Sequence, residues 1–165
     1  MIRLAKPSDL PAIVSIYNEA VVARFATADL TAVSVDSRHA WFLEHEPTQH
    51  PIYIWEEAGE VKGWCSLSAY RRGRLALRFT AEISYYVRGN SHRRGIATRL
   101  IEHSLEACAS LRIKNVFAIV LERNTRSCAL LEKLGFECWG LLPNVADFDG
   151  EECGHLYYGR RLAWA

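Results

Sequence analysis

One stretch, Tyr85-Tyr86-Val87-Arg88-Gly89-Asn90-Ser91-His92-Arg93-Arg94-Gly95-Ile96-Ala97-Thr98, constrains the fold more than any other. A strand rich in aromatic and β-branched residues ends at Val87, a short polar and basic loop follows, and a helix opens at Gly95. Helix N-termini present unpaired N–H groups and the positive end of the dipole, so this junction suits an anion. Gly95 and Ala97 lack bulk and let a ligand approach the backbone, while Arg93, Arg94 and Arg99 add charge. A pyrophosphate fits such a place; the alternative is an exposed helix start that happens to be basic. Neither GxxxxGK[ST] nor GxGxxG occurs.

The rest of the chain alternates in type around this junction. Ile2 to Ala5 reads as a short strand. Ser8 is expected to cap a helix on which Leu10, Ile13, Val14, Tyr17, Ala20 and Val21 recur at helical spacing. A second helix starts near Ser34 or Asp36, carries Trp41 and Phe42, and ends before Pro47. Ile52 to Glu57 and Val61 to Ala69 form a hairpin, and Leu77 to Val87 reads as one long strand. The helix from Gly95 runs to about Ser110. Asn115 to Val120 is a strand, Asn124 opens a helix that stops at Gly135, and Phe136 to Leu141 and His155 to Leu162 are two last strands. The order β-α-α-β-β-β-α-β-α-β-β predicts a mixed α/β fold of α+β character, with a central twisted sheet of about seven strands and helices on both faces. It is neither a doubly wound sheet nor a barrel.

At 165 residues the chain fits a single domain, residues 1–165. Half of the residues are hydrophobic and 24% are charged, enough for a packed core and against disorder. Lys and Arg total 20 against 19 Asp and Glu, a net charge of +1 that gives no reason to expect nucleic acid as a partner. No run approaches the ~20 apolar residues of a membrane span, and the first residues lack the apolar segment of a signal peptide. Five cysteines without a CxxC predict reduced, small apolar core residues rather than disulfides or a zinc knuckle. His39, His45 and His50 lack HExxH spacing, so no metal is expected. The expected compartment is the cytoplasm.

Strand, basic loop, R/Q-x-x-G-x-G/A, helix, strand, then an Asn-led helix ending in Gly-Phe resembles the GNAT family of N-acetyltransferases. Here the loop is His92-Arg93-Arg94-Gly95-Ile96-Ala97, with His where the family usually has Gln or Arg. The likeness narrows to the phosphinothricin and methionine sulfoximine acetyltransferase branch. Ile16-Tyr17-Asn18-Glu19-Ala20-Val21 resembles its I-Y-N-x-x-V, and Gly63-Trp64-Cys65-Ser66 its G-[YW]-x-S. Thr80-Ala81-Glu82-Ile83-Ser84-Tyr85-Tyr86-Val87 matches T-x-E-x-S-x-Y-V. Asn124-Thr125-Arg126-Ser127 matches N-x-x-S, and Arg74-Leu75-Ala76-Leu77 is similar to R-x-A-Y with Leu for Tyr. The likeness spans essentially the whole chain.

The resemblance implies acetyl-CoA as cosubstrate, a small-molecule amine as acceptor, and a homodimer. It implies that Tyr85, Tyr86, Val87, His92, Arg93, Arg94, Gly95, Ile96, Ala97, Thr98, Asn124 and Ser127 hold the cofactor, with a pure helix-capping role for Asn124 as the alternative. Acetyl transfer to an amine needs a base, oxyanion donors and departure of a thiolate. Glu82, a carboxylate inside an apolar strand, is the expected general base, because burial raises a carboxyl pKa towards neutrality. N–H groups at Tyr85 to Val87 are the expected oxyanion donors. The family's usual acid position holds Leu131, which leaves Tyr85, Tyr86, Tyr157, Tyr158 and His155 as candidates, or unaided departure of the thiolate. Phe25, Thr27, Trp64, Arg72 and Arg74 are the expected acceptor-binding residues, the arginines as a clamp for the carboxylate of an amino acid or analogue. A peptide or protein N-terminal acetyltransferase, or a CoA-binding regulator without catalysis, are the competing readings.

Overall fold

The computed structural model describes residues 1–163. Seven strands form one sheet in the spatial order β1-β2-β3-β4-β5-β7-β6. They are β1 (Ile2–Leu4), β2 (Ile52–Glu57), β3 (Glu60–Ala69), β4 (Thr80–Val87), β5 (Asn115–Leu121), β6 (Glu137–Phe148) and β7 (Glu151–Arg161). Four helices, α1 (Leu10–Ala23), α2 (Val35–Leu43), α3 (Ile96–Ala107) and α4 (Thr125–Lys133), complete the order expected from the sequence. All strand pairs are antiparallel except β4 with β5, where α3 makes the crossover.

Each face of the sheet has its own core. On one side α3 and α4 bury Ile96, Leu100, Ile101 and Leu131 against Leu67, Ala81, Ile83, Val116 and Ala118. On the other, Ile13 and Ile16 of α1 pack on Ile52, Ile54 and Trp64, with Trp41 and Phe42 of α2 beside them. Strand alternation therefore sends Ala81 and Ile83 of β4 into the first core. It sends Glu82, Ser84 and Tyr86 towards α1 and α2.

Four local expectations need correction. Ser8 does not cap α1: Pro7–Asp9 form a short 3₁₀ turn, and the Asp9 carboxylate instead takes the Lys6 N–H at 2.7 Å and the Arg3 guanidinium. The strand read from Leu77 begins only at Thr80, because Leu75–Leu77 coil into a second 3₁₀ turn closed by Leu77 N–H on the Arg74 carbonyl. β6 runs on past Leu141 to Phe148, crossing Pro143 and Asn144 through a bulge between Leu142 and Ala146. It can, because β6 is an edge strand, where a proline removes no ladder bond. Among the cysteines, Cys65, Cys108 and Cys153 are core residues as expected, but Cys128 is half-buried and Cys138 exposed.

Candidate active site

The parallel ladder between β4 and β5 covers only Thr80 to Glu82 against Asn115 to Phe117, although the strands continue to Val87 and Leu121. Beyond Glu82 the sheet is split. The bonds from Tyr70 N–H to the Thr80 carbonyl and from Arg88 N–H to the Lys62 carbonyl show that even-numbered residues of β4 bond to β3. Antiparallel alternation then leaves the N–H and C=O groups of Tyr85 and Val87 on the split edge. A cleft of about 410 Å³ opens there, lined by Tyr85, Tyr86, Val87, His92, Arg93, Gly95, Ile96, Ala97, Thr98, Asn124 and Ser127.

The floor of this cleft is the start of α3. No side chain caps the helix, and its first main-chain bond runs from Arg99 N–H to the Gly95 carbonyl. The N–H groups of Ile96 to Thr98 therefore face the cleft as anion donors. Gly95, at φ 76°, sits in the left-handed region that turns the loop into the helix, and Arg93 at φ 61° does the same two residues earlier. His92 Nε2 donates to the Val87 carbonyl at 2.9 Å and pins the loop to the end of β4. Asn124 Oδ1 accepts the Ser127 N–H at 3.2 Å, so Asn124 caps α4 while also lining the cleft. Tyr85 is half-buried; its hydroxyl, enclosed, lacks a well-formed hydrogen bond although Ser127 lies beside it, and burial pushes its pKa up.

A second cavity, also about 410 Å³, lies on the α1/α2 face of the same strands. Its walls are Tyr17, Trp41, Trp64 and Tyr86, whose rings meet at centroid distances of 5.0 Å (Tyr17–Tyr86), 4.9 Å (Trp64–Tyr86) and 5.7 Å (Trp41–Trp64). Ser66, Ser68, Glu82 and Ser84 form a polar floor, and Thr27, Arg38 and His155 add further polar groups to the lining. The Glu82 carboxylate has no hydrogen bond or ion pair among the described residues, and burial raises its pKa. Tyr86 and Ala26 line both cavities, so the cleft and the Glu82 cavity meet at one wall.

An acetyltransferase (GNAT) domain model matches residues 1–137. The chain belongs to the GNAT acetyltransferase family. A Bacillus subtilis protein provisionally named a phosphinothricin acetyltransferase is 36% identical over 163 residues, covering 98% of this chain and 99% of that one. The L-methionine sulfoximine/L-methionine sulfone acetyltransferase of Pseudomonas aeruginosa is 34% identical over 87% of this chain and 84% of its own. A crystal structure of a GNAT phosphinothricin acetyltransferase from Sinorhizobium meliloti in complex with acetyl-CoA superposes with a TM-score of 0.91 at 29% identity. It covers 98% of this chain and 88% of that one.

Within this GNAT domain, the residues expected at the cofactor line the one cleft, except Arg94, whose guanidinium turns away to pair with Glu57 at 2.8 Å. The acceptor residues scatter. Thr27 and Trp64 share the Glu82 cavity, with the Trp64 indole N–H fixed on the Ile13 carbonyl at 3.1 Å. Phe25 lines the cleft at the start of α3 instead. Arg72 and Arg74 border a third cavity of about 500 Å³ with His50 and Arg78, away from Glu82. The cause is local: the 3₁₀ turn before Thr80 throws the arginine turn past the end of β3, where Arg72 pairs with Glu44 at 3.6 Å.

Among the candidate acids, Leu131 is fully buried. The Tyr157 ring stacks on Phe117 and the Tyr158 hydroxyl donates to Glu132 at 2.8 Å; neither lines the cleft or the Glu82 cavity. Tyr85 faces the cleft, Tyr86 the shared wall and His155 the Glu82 cavity, where burial lowers the imidazole pKa.

Sequence reasoning missed Tyr17, Arg38, Ser66, Ser68 and Ser84. Two signals were present. Trp64, Ser66 and Ser68 alternate at period two, as do Glu82, Ser84 and Tyr86, and the register pairs Ser68 with Glu82 and Ser66 with Ser84. Arg38 precedes Trp41 by three residues on one helix, so the two share a face. Among the described residues no group of three or more His, Cys, Asp or Glu could hold a metal ion, and no helix is long and apolar enough to cross a membrane.

Proposed function

We propose that this GNAT domain transfers the acetyl group of acetyl-CoA directly to the α-amine of an amino acid or close analogue. The observation that carries this is the meeting of two cavities along one split strand: a cleft floored by a helix N-terminus, and an aromatic cavity holding a half-buried carboxylate with no partner among the described residues. The pyrophosphate rests on the N–H groups of Ile96 to Thr98, and the thioester lies along the open edge of β4. The acceptor enters the Glu82 cavity. It binds as the neutral amine; its nitrogen lone pair attacks the thioester carbonyl and Glu82 takes the proton that the nitrogen then sheds, an exchange its raised pKa favours. N–H groups at Tyr85 and Val87 receive the tetrahedral oxyanion. The C–S bond then breaks, and the sulfur leaves as the thiolate, which an ordinary thiol pKa of ~8.5 allows without a protein acid.

Arg38 takes the clamp role first assigned to Arg72 and Arg74. Arg38 lines the Glu82 cavity, its guanidinium lies 4.7 Å over the Tyr17 ring, and among the described residues only its Nη2 is hydrogen-bonded, to Asp29 at 3.3 Å. The remaining N–H donors are free for a carboxylate. The names of the Bacillus and Pseudomonas relatives, which refer to amino-acid analogues, support the same class. Comparing an amino acid that turns over with its decarboxylated amine is the test. A loss on the order of 100-fold in kcat/KM is expected for the amine. Equal turnover, or preference for peptides, would favour an N-terminal acetyltransferase instead.

The domain works as a homodimer in a reducing cytoplasm. The outer strand β6 supports the dimer, since Trp139, Leu141, Leu142 and Val145 are 45–55% exposed along an edge paired on one side only. Five free thiols suit the compartment. A monomeric mass in light scattering at micromolar concentration would remove the dimer.

A further inference from the structure

The polar floor of the Glu82 cavity has a direction, and His45 sets it. His45 Nδ1 lies 2.7 Å from the Trp41 carbonyl, and its Nε2 lies 2.9 Å from Ser68 Oγ. A carbonyl only accepts, so Nδ1 carries the proton. Burial favours the neutral ring: it lowers the pKa and outweighs the opposing Trp41 carbonyl, while His50 and Arg72 add to it and Glu44 opposes it. A neutral imidazole protonated at Nδ1 offers a lone pair at Nε2. The Ser68 hydroxyl must then donate to His45, which leaves Ser68 Oγ presenting only lone pairs to the cavity.

Ser68 is the register partner of Glu82, so the two side chains stand next to each other on one face. Two residues along the same face, the Ser66 hydroxyl is buried without a partner. The floor thus holds acceptor and unsatisfied groups that a bound molecule would complete.

We propose that Ser68 and Glu82 together receive the two N–H groups of the acceptor's primary amine, with His45 as the positioning residue that fixes Ser68 as a hydrogen-bond acceptor. This rests on the acetyl-transfer reading above and adds to it the reason one class of amine is chosen. With both N–H groups held, the nitrogen lone pair is left for the thioester carbonyl. Glu82 removes one proton as the C–N bond forms, and Ser68 keeps the other hydrogen without taking it. An N-methyl amine has one N–H in its neutral form and leaves Ser68 or Glu82 unpaired, so the cavity discriminates against secondary amines.

Four proteins test this: wild type, Ser68→Ala, His45→Phe and the double variant, each assayed at saturating acetyl-CoA with a primary amino acid and its N-methyl analogue. Each single variant should lose about tenfold in kcat/KM for the primary amine, mostly through KM, and the preference over the N-methyl analogue should collapse. The double variant should lose no more than either single one, because both remove the same lone pair. Affinity for acetyl-CoA should not move. Additive losses together with weaker acetyl-CoA binding would mean that His45 and Ser68 only brace the fold, and would overturn the proposal; so would wild-type selectivity in both variants. A wild-type protein that acetylates no amine would sink the acetyl-transfer reading itself, a distinct result. Nitrogen-15 NMR of the imidazole gives a check independent of any variant: a proton on Nε2 of His45 would overturn the polarity argument directly.

Discussion

The two cavities that meet at Tyr86 are built from different materials. The cofactor cleft is largely main chain: the split edge of β4, the loop from His92 to Gly95 and the first turn of α3. The acceptor cavity is side chain, contributed by α1, the segment after it, α2, β3, β4, β5 and β7. A main-chain site is shaped by loop length, two left-handed residues and the absence of bulk, so the identity of a loop side chain such as His92 counts for less there. A side-chain site has no such tolerance, and each wall residue there sets which acceptor fits.

The comparison is broken most directly at Glu82, the charged group on the acceptor side. Glu82→Gln keeps the side chain's shape and removes the base, so kcat should fall by about 10²- to 10⁴-fold while acetyl-CoA affinity is unchanged. Raising the pH should recover part of the loss, because alkyl amines deprotonate unaided near pH ~10. A rate that is equal to wild type from pH 6 to 9 would take Glu82 out of the reaction. The mirror experiment is Gly95→Val. A β-branched residue at φ 76° costs on the order of 1–3 kcal/mol and displaces the N–H groups proposed to hold the pyrophosphate. Acetyl-CoA should bind at least tenfold more weakly in calorimetry, with the acceptor KM little altered. Wild-type affinity would place the cradle elsewhere.

Arg72 and Arg74 sharpen the boundary of the acceptor side. They look like a carboxylate clamp in the sequence and stand around another cavity in the fold. Both are exposed, and exposed charges contribute little. Arg72→Ala and Arg74→Ala should each change acceptor kcat/KM by less than about threefold, against a loss on the order of 100-fold for Arg38→Ala. The reverse order would return the clamp to the arginine turn.

The same contrast explains what was legible. A strand, a basic loop and a helix opening at glycine are contiguous, so the cleft could be read from fourteen consecutive residues. Glu82 stood out because a carboxylate inside an apolar strand needs a reason. Arg38, Tyr17 and the serine floor come together only through the packing of α1 and α2 on β3 and β4, and no local pattern announces that contact. The strand start at Thr80 was obscured because Leu77 and Phe79 look like strand residues, whereas the Arg74 carbonyl and the Leu77 N–H close a turn there. Pro143 and Asn144 read as a break in the last hairpin, and the edge position of β6 absorbs them as a bulge. Gly154 near the start of β7 has a packing reason that the sequence does not announce. A Cβ there would lie 2.7 Å from Glu122 Oε2 and 2.9 Å from Leu141 Cδ1.

The smallest expected effect concerns stability rather than rate, and it follows from the same carboxylate. Burial raises the Glu82 pKa in the folded protein above its value in the unfolded chain, and no hydrogen bond or ion pair offsets it. Between the two values the folded state holds the proton that the unfolded state has lost. Stability contributed by this group is therefore complete below the ordinary carboxylate range and declines as pH rises through the folded value. Above that window the cost of a buried, unpaired charge is constant and belongs to the site's function. Glu82→Gln removes the charge, so the variant should melt above wild type at pH 7 to 8, and the difference should vanish as pH falls to about 3, where wild-type Glu82 is protonated in both states. Thermal melts of the two proteins across that range measure it. A variant that melts below wild type at neutral pH would mean that the ionised carboxylate is held by favourable contacts, and Glu82 would then be a structural acid rather than a poised base.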